Sequence, residues 1–526
     1  MDAIPFLPGN PEDYRLLREW LVSADFTPAG ICARAEVPSI FGFPTRADGR
    51  TTVSEAHDTL DLLIGLFLDG ARIALPVLRR LIPDDALGVL ERLGLVGAVH
   101  ADPNERAATV SLYPLETLYV ASDLSKRRAG VYREEELEPP DFVFSAITTL
   151  TGTFLENIPT TPCARLLELC SGTAAPALLR ASTAGHAWAV DITERSTRFA
   201  EFNARLNGVQ NFTALQGDLY QPVRGMTFDR IVAHPPYVPA PERAMIYRDG
   251  GPDGEDILRG IMAGLHEHLT PGGCFHATFR TTDRAGAPLE ARLRAMLGEQ
   301  ETEFDLVLLT HYELTPVEYY AHAVVGGLLP FSVLEDRQRM YRRLEAERIV
   351  YASIVLQRHE QPREAFTYRR ARGAQAGWRE SEFLRWWGTR ARTDEWRAVL
   401  AESHPVLSPT ARLDMHYGVQ AGDWAIRSCE VRSEHPFPRT VKVSHSMAML
   451  LTACDGSVTA RGLLARLRAS SAIPADMPDE VILEWVREMV LEGVLEVEVG
   501  PRPTSEASAG EGARPNDLIE AARPGA

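Results

Sequence analysis

The sequence predicts an α/β protein whose middle builds a parallel, Rossmann-like sheet, with a mainly helical segment before it and a small α+β segment after it. Three observations lead there. From about residue 163 to 310, apolar β runs alternate with helical stretches, the β runs being RLLEL, HAWAVDI, FTALQGD, FDRIVA and CFHATF. Such alternation builds parallel strands with helices on both faces. At RLLELCSGTAAPALL (Arg165 to Leu179) a strand enters a turn of small residues and then a helix. At FDRIVAHPPYVPAPERAMIYRDGGPDGEDILRGI (Phe228 to Ile261) another strand stops on two consecutive prolines. Pro235 and Pro236 have no backbone N–H and a fixed φ, so neither a ladder nor a helix passes through them.

Before this sheet, Pro11 to Ser23, Val53 to Gly70 and Leu75 to Leu81 carry apolar residues at helical spacing. DDALGVLERLGLVGAVHADPNERAATVSLYPLETLYVASDL then reads as helix, strand, polar turn at Asp102, Pro103 and Asn104, and strand. A helix followed by a hairpin is the wing portion of a winged-helix arrangement, here with almost no Lys or Arg near the recognition helix. That favours substrate recognition or packing over reading DNA. A charged linker, Lys126 to Asp141, leads into a helix at FVFSAITTLTGTFLENI.

The third strand is expected at FTALQGD, the fourth at Asp229 to Ala233, and the fifth after the helix-ending PGG of 271–273. DLVLLTHYE and ERIVYASIVLQRHE supply two more, joined by a helix around Glu335 to Glu347, and complete the sheet near residue 375. Residues 376–410 are Trp-rich and helical, with Trp386 and Trp387 read as packing. From about 411, DWAIRSCEVRS and RTVKVS read as strands, and the segment closes as two helices and a hairpin. The Pro/Ser/Glu/Ala/Gly mix after Gly500 cannot bury a core. The expected division is therefore 1–135, 136–375, 376–500 and a disordered tail, 501–526.

Bulk properties narrow the function. A chain of 526 residues has room for several cores. Its net charge of −17 argues against coating duplex DNA. The six cysteines are scattered, as in a reduced thiol set. No basic region followed by an apolar run opens the chain, and the apolar run near Leu60 to Leu68 is too short for a bilayer, so a cytoplasmic protein without membrane contact is expected. His266 and His268 sit two apart on one helix and cannot face a common metal, so no metal site is expected.

Ligands of open α/β sheets bind outside the carboxyl ends of the strands. Glu168, Cys170, Ser171 and Gly172 close the first strand. Asp191 and Ile192 end the second, Asp191 lying 23 positions after Glu168, the spacing at which a carboxylate reaches a ribose diol. Asp218 and Leu219 follow the third strand, and His234, Pro235, Pro236 and Tyr237 follow the fourth. His311, Tyr312, Tyr319 and Tyr320 are read as core packing beside a pocket, and the run Arg369 to Arg372 as a solvated face.

Together LLELCSGT, VDIT, GDLYQPVRGMTFDRIVAHPPYVP, RDGGPDGEDILRGI and LTPGG resemble the HemK-like methyltransferase family over roughly residues 140–360. The resemblance implies a class I fold with a seven-stranded sheet, S-adenosylmethionine as cofactor, and a methyl acceptor held at the HPPY tetrapeptide. Glu168, with backbone near Gly172, would anchor the methionine portion. Asp191 would bind the ribose, and Asp218 with Leu219 would frame the adenine. Pro235 and Pro236 would offer carbonyls to a planar nitrogen, and Tyr237 would stack on it. The flanking parts are similar to a bacterial group with extra terminal domains, and the C-terminal one looks like a small winged-helix or peptide-binding module.

Two departures stand out. Cys170 and Ala174 replace two glycines of the family turn, and His234 stands where the family has Asn or Asp. Imidazole can take a proton, which an amide cannot. The leading expectation is N-methylation of a protein, peptide or RNA. The alternatives are O- or N-methylation of a small natural product with His234 as general base, and an inactive cofactor-binding scaffold.

Overall fold

The computed structural model describes residues 4–45, 56–99, 102–125, 138–242, 244–325, 332–372, 377–378, 381–382, 384–385, 396–409, 411–420, 423–433, 439–469 and 473–498. Trp386, Trp387, most of the charged linker and the tail after Gly500 lie outside them. The chain forms two compact units, Met1–Gly388 and Thr389–Ala526.

The first unit is built on an eight-stranded sheet. Its strands are β1 (Cys163–Leu169), β2 (Ala184–Asp191), β3 (Phe212–Gln216), β4 (Phe228–Ala233), β5 (Leu269–Arg284), β6 (Phe304–Leu314), β7 (Ala346–Arg358) and β8 (Thr367–Ala371). In space the order is β3-β2-β1-β4-β5-β7-β6-β8. The five strands β3 to β5 run parallel, and β7 lies antiparallel between β5 and β6. The order reverses between β1 and β4, which opens a crevice at their carboxyl ends.

Four sequence expectations need correction here, the first two at β8. The sheet has eight strands, because β8 adds parallel to β6. The arginine run lies on that strand and is no solvated face. Arg369 is partly buried and pairs with Asp283, Glu290 and Glu313, the last at 2.8 Å. Third, β5 takes in Pro271, Gly272 and Gly273: Leu269 pairs with Phe228 and Cys274 with Arg230, so the residues between them bulge from the ladder.

Fourth, Asp102 to Asn104 belong to a strand, Asp102–Ala108, which pairs with Val96–Val99 and Ile73–Ala74 in a three-stranded antiparallel sheet. A separate hairpin, Val110–Leu115 with Leu118–Asp123, is buried at every position. It packs on α2 (Glu194–Asn207), whose preceding helix, α1, spans Ala175–Arg180. Helix α2 starts where Thr193 Oγ1 accepts the Ser196 N–H at 3.0 Å and stops at Gly208, φ 66°.

The junction between hairpin and α2 is polar and fully paired. Asn203 accepts the Ala121 N–H at 2.7 Å and donates to the Ala121 carbonyl at 3.0 Å. Asn207 does the same for Tyr119, at 2.8 and 2.7 Å. Two side-chain amides thus satisfy the free edge of a strand as a neighbouring strand would. Around this seam one hydrophobic core runs from Tyr14 and Leu17 in helix Pro11–Ser23, through Phe67 and Tyr113, to Phe199 and Val232.

The second unit has a three-stranded antiparallel sheet, Arg412–Gln420, Asp423–Ser433 and Arg439–Val443, and helices His445–Thr452, Ala460–Ala469 and Asp479–Leu491. Among the described residues, Leu495–Glu498 pairs back with His404–Leu407 in place of the expected closing hairpin. Among the described residues, no helix is long and apolar enough to cross a membrane.

Candidate functional site

At the crevice the chain leaves β1 through a turn with left-handed backbone at alternate positions. Cys170, Gly172 and Ala174 have φ of 55°, 50° and 57°. Only glycine adopts that region freely, so Cys170 and Ala174 are strained there. A Cβ placed on Gly172 would meet nothing within 4 Å, which leaves the turn open on its ligand side. The Gly172 N–H points to Asp191 Oδ2 at 2.9 Å, while Asp191 Oδ1 accepts the Thr193 N–H at 3.0 Å. The Thr193 hydroxyl lies 3.2 Å from Oδ1 as well, and burial pushes the carboxyl upward.

Glu168 is 3% exposed and accepts one bond, from the Ala177 N–H of α1 at 2.8 Å. Burial raises it to about 8, with the nearby Asp191 adding to the shift. A carboxyl in that state gains most from a cation brought beside it.

After β4 the HPPY corner is set by the following loop. Val238 exchanges backbone bonds with Arg248 and Gly250, each 2.9 Å, and Asp249 caps the turn by accepting the Ala244 and Met245 N–H groups. A Cβ on Gly250 would lie 2.7 Å from the Pro236 carbonyl oxygen, and one on Gly254, at φ +82°, would lie 2.5 Å from that of Tyr237. The glycines of GGPDG therefore let the loop press against the acceptor corner and leave into α3 (Asp256–His268).

His234 lies between Phe154 and Tyr237, with ring centroids 5.2 and 5.8 Å away. Its Nε2 is buried without a hydrogen-bond partner, and burial pulls the imidazole down to about 4. It is neutral at physiological pH and a poor proton acceptor.

One cavity of about 490 Å³ brings these groups together. Glu168, Cys170, Ser171, Gly172, Asp191, Ile192, Asp218, Leu219, His234, Pro235, Pro236 and Tyr237 all line it. The structure adds residues that local sequence did not single out. Phe142, Phe144 and Phe154 come from the segment before β1, and Phe144 stacks on Tyr247 with centroids 5.2 Å apart. Arg280, near the end of β5, is another addition. His311, Tyr312, Tyr319 and Tyr320 do not line the cavity. The three tyrosines belong to an adjoining cluster with Tyr341. Among the described residues no group of His, Cys, Asp or Glu could hold a metal ion.

The strand order and the crevice at the first and fourth strands are those of a class I methyltransferase fold. Residues 140–299 match the family described as methyltransferase small domain. The chain is 35% identical over 114 residues to a release factor glutamine methyltransferase of Moorella thermoacetica, covering 20% of this chain and 40% of that protein. It is also 35% identical over 122 residues to a ribosomal protein uL3 glutamine methyltransferase of Bradyrhizobium diazoefficiens, covering 21% and 38%. A ribosomal protein L11 methylase from Lactobacillus delbrueckii has 16% identity and a TM-score of 0.23, over 40% of this chain and 77% of that one. The central part of the chain is thus similar to the methyltransferase small domain and to glutamine methyltransferases. The match spans only about two fifths of those curated relatives.

Proposed function

We propose that the chain is an S-adenosylmethionine-dependent methyltransferase acting on nitrogen of a protein or peptide acceptor. The observation that supports this most is the meeting of Glu168, Asp191 and the HPPY corner around one cavity at the sheet's switch point. The open turn at Gly172 and the Asp191 carboxylate on the cavity wall fit the cofactor. When bound, it would supply a methyl group already activated on sulfonium.

In this reading Glu168 holds the donor's ammonium and Asp191 its ribose hydroxyls, while Ile192, Asp218 and Leu219 frame its base. Cys170, Ser171 and Gly172 let it lie close to backbone. The acceptor sits against His234, Pro235, Pro236 and Tyr237. Fixed proline carbonyls orient its N–H groups and stabilise positive charge developing on nitrogen. Tyr237 limits its motion, so that the accepting lone pair is held in line. His234, neutral and with an open nitrogen, takes the hydrogen-bonding place of the family's Asn or Asp and leaves proton removal to water.

The relatives are named for glutamine of a release factor and of a ribosomal protein. The exchange at His234 favours a different acceptor group here. The segments 1–135 and 376–500 are assigned to choosing that target. The test is radiolabelled methyl transfer into fractionated host extract, beside calorimetric titration with S-adenosylhomocysteine. Label in protein or peptide fractions is expected. Label confined to RNA or small molecules would replace the acceptor class, and donor binding without transfer would leave a scaffold.

A further inference from the structure

We infer that Arg280 is a recognition site for a carboxylate carried by the methyl acceptor. This rests on the methyltransferase reading and goes beyond it to the acceptor's chemistry.

The cavity is lined by the carboxyl groups of Asp141, Glu168, Asp191, Asp218 and Asp249, which suits a cationic donor. Two arginines line it as well. Arg248 is already paired, its Nε donating to Asp249 at 2.8 Å. Arg280 is not: among the described residues it makes no ion pair. Its Nη1 donates to the Tyr319 hydroxyl, its Nε is buried without a partner, and its guanidinium lies over the rings of Tyr237 and Tyr319, 5.2 and 5.0 Å from their centroids. A buried guanidinium without an anion is costly, and phenol rings offset only part of that cost.

Position makes the cation useful. Ala277 of β5 pairs with Ala233, the last residue of β4, so Arg280 lies beyond the point where β4 turns away at His234. There it backs Tyr237, the residue assigned to cover the acceptor. A planar guanidinium that meets phenol groups and no anion fits a carboxylate in bidentate fashion. Among the described residues a single free cation lines this acidic cavity and balances one negative charge, which favours a carboxylate over a phosphate dianion. The acceptor would then present an acid beside the atom that is methylated, which a lone glutamine side chain does not.

The test is calorimetric titration of the full chain with benzoate and with benzamide, its neutral isostere, each with and without saturating S-adenosylhomocysteine. Benzoate is expected to bind and to outcompete benzamide by about tenfold or more, with Arg280→Met removing that preference. S-adenosylhomocysteine affinity is expected to stay within about twofold in the variant, which shows that it folds. Equal binding of benzoate and benzamide to the natural protein, or a preference that survives Arg280→Met, overturns the inference while leaving donor binding intact. Tighter binding of inorganic phosphate than of benzoate also overturns it. Failure of S-adenosylhomocysteine to bind the natural protein counts against the methyltransferase reading instead, and the titrations without it still decide Arg280. Should Arg280→Met not fold, the benzoate preference of the natural protein and its weakening in Arg280→Lys decide.

Discussion

Leu169 and Ala233 are register partners on adjacent parallel strands, so the chain leaves the sheet side by side at Cys170 and His234. The Cys170 turn and the HPPY corner, assigned above to donor and acceptor, are therefore fixed relative to each other by the ladder. That rigidity suits a displacement in which positioning is the protein's main contribution.

Asp191→Ala removes the acceptor for a ribose diol and leaves the Gly172 and Thr193 N–H groups without their partner. S-adenosylhomocysteine binding should weaken by about 1.5–3 kcal/mol, the worth of hydrogen bonds to a charged group, in calorimetric titration.

Glu168 holds its proton to about pH 8 in the free protein. Bringing an ammonium beside it expels that proton, so donor affinity should rise with pH between about 6 and 8, with proton release visible in buffers of different ionisation heat. The stability sign is the opposite. The folded carboxyl lies above its unfolded value, so the native state binds more protons in between, and stability falls as pH rises towards 8. Glu168→Gln should flatten both profiles.

His234 sits at about 4 when folded against an ordinary 6.5. The unfolded state therefore binds the extra proton, and stability should be lost as pH falls from 6.5 to 4, by up to about 3 kcal/mol. His234→Asn should remove that acid sensitivity in denaturant midpoints. It should also leave kcat/KM without a new inflection between pH 6 and 8, because a neutral imidazole is not titrating there.

Gly254→Ala places a methyl 2.5 Å from the Tyr237 carbonyl oxygen at a positive φ. The loop must shift, at a cost of about 1–3 kcal/mol, and Tyr237 moves with it. Methyl transfer should fall more than donor affinity, as a kcat loss at nearly constant S-adenosylhomocysteine binding.

Asn203→Ala strips the Ala121 N–H and carbonyl of their partners in a fully buried seam. The expected loss is about 2–4 kcal/mol, read from urea unfolding, since each orphaned buried group costs about 1–3 kcal/mol.

The site was legible in sequence where chemistry is local. A carboxylate at a strand end, a small-residue turn and a double proline announce themselves within a few residues, and the cavity gathers all of them. Contacts made over long distances were not legible. Phe144 and Tyr247 stand about a hundred positions apart, and nothing near either marks the stack. Arg280 reads as one more charged residue until β5 is seen to outrun β4. The run at Arg369 misled because a charged stretch is usually solvated, whereas here carboxylates from β5, β6 and the helix Leu289–Met296 turn it into a strand's anchor. PGG read as the end of the helix, with the strand beginning after it, but the helix ends at His268 and a bulge takes these residues into the strand.

The amide pairs of Asn203 and Asn207 carry a consequence for ancestry. An α/β half that lends two of its own side chains to finish a preceding hairpin is no portable cassette. Trimming that hairpin would bare apolar surface and strand polar groups at once, so the two segments must be inherited, and altered, together.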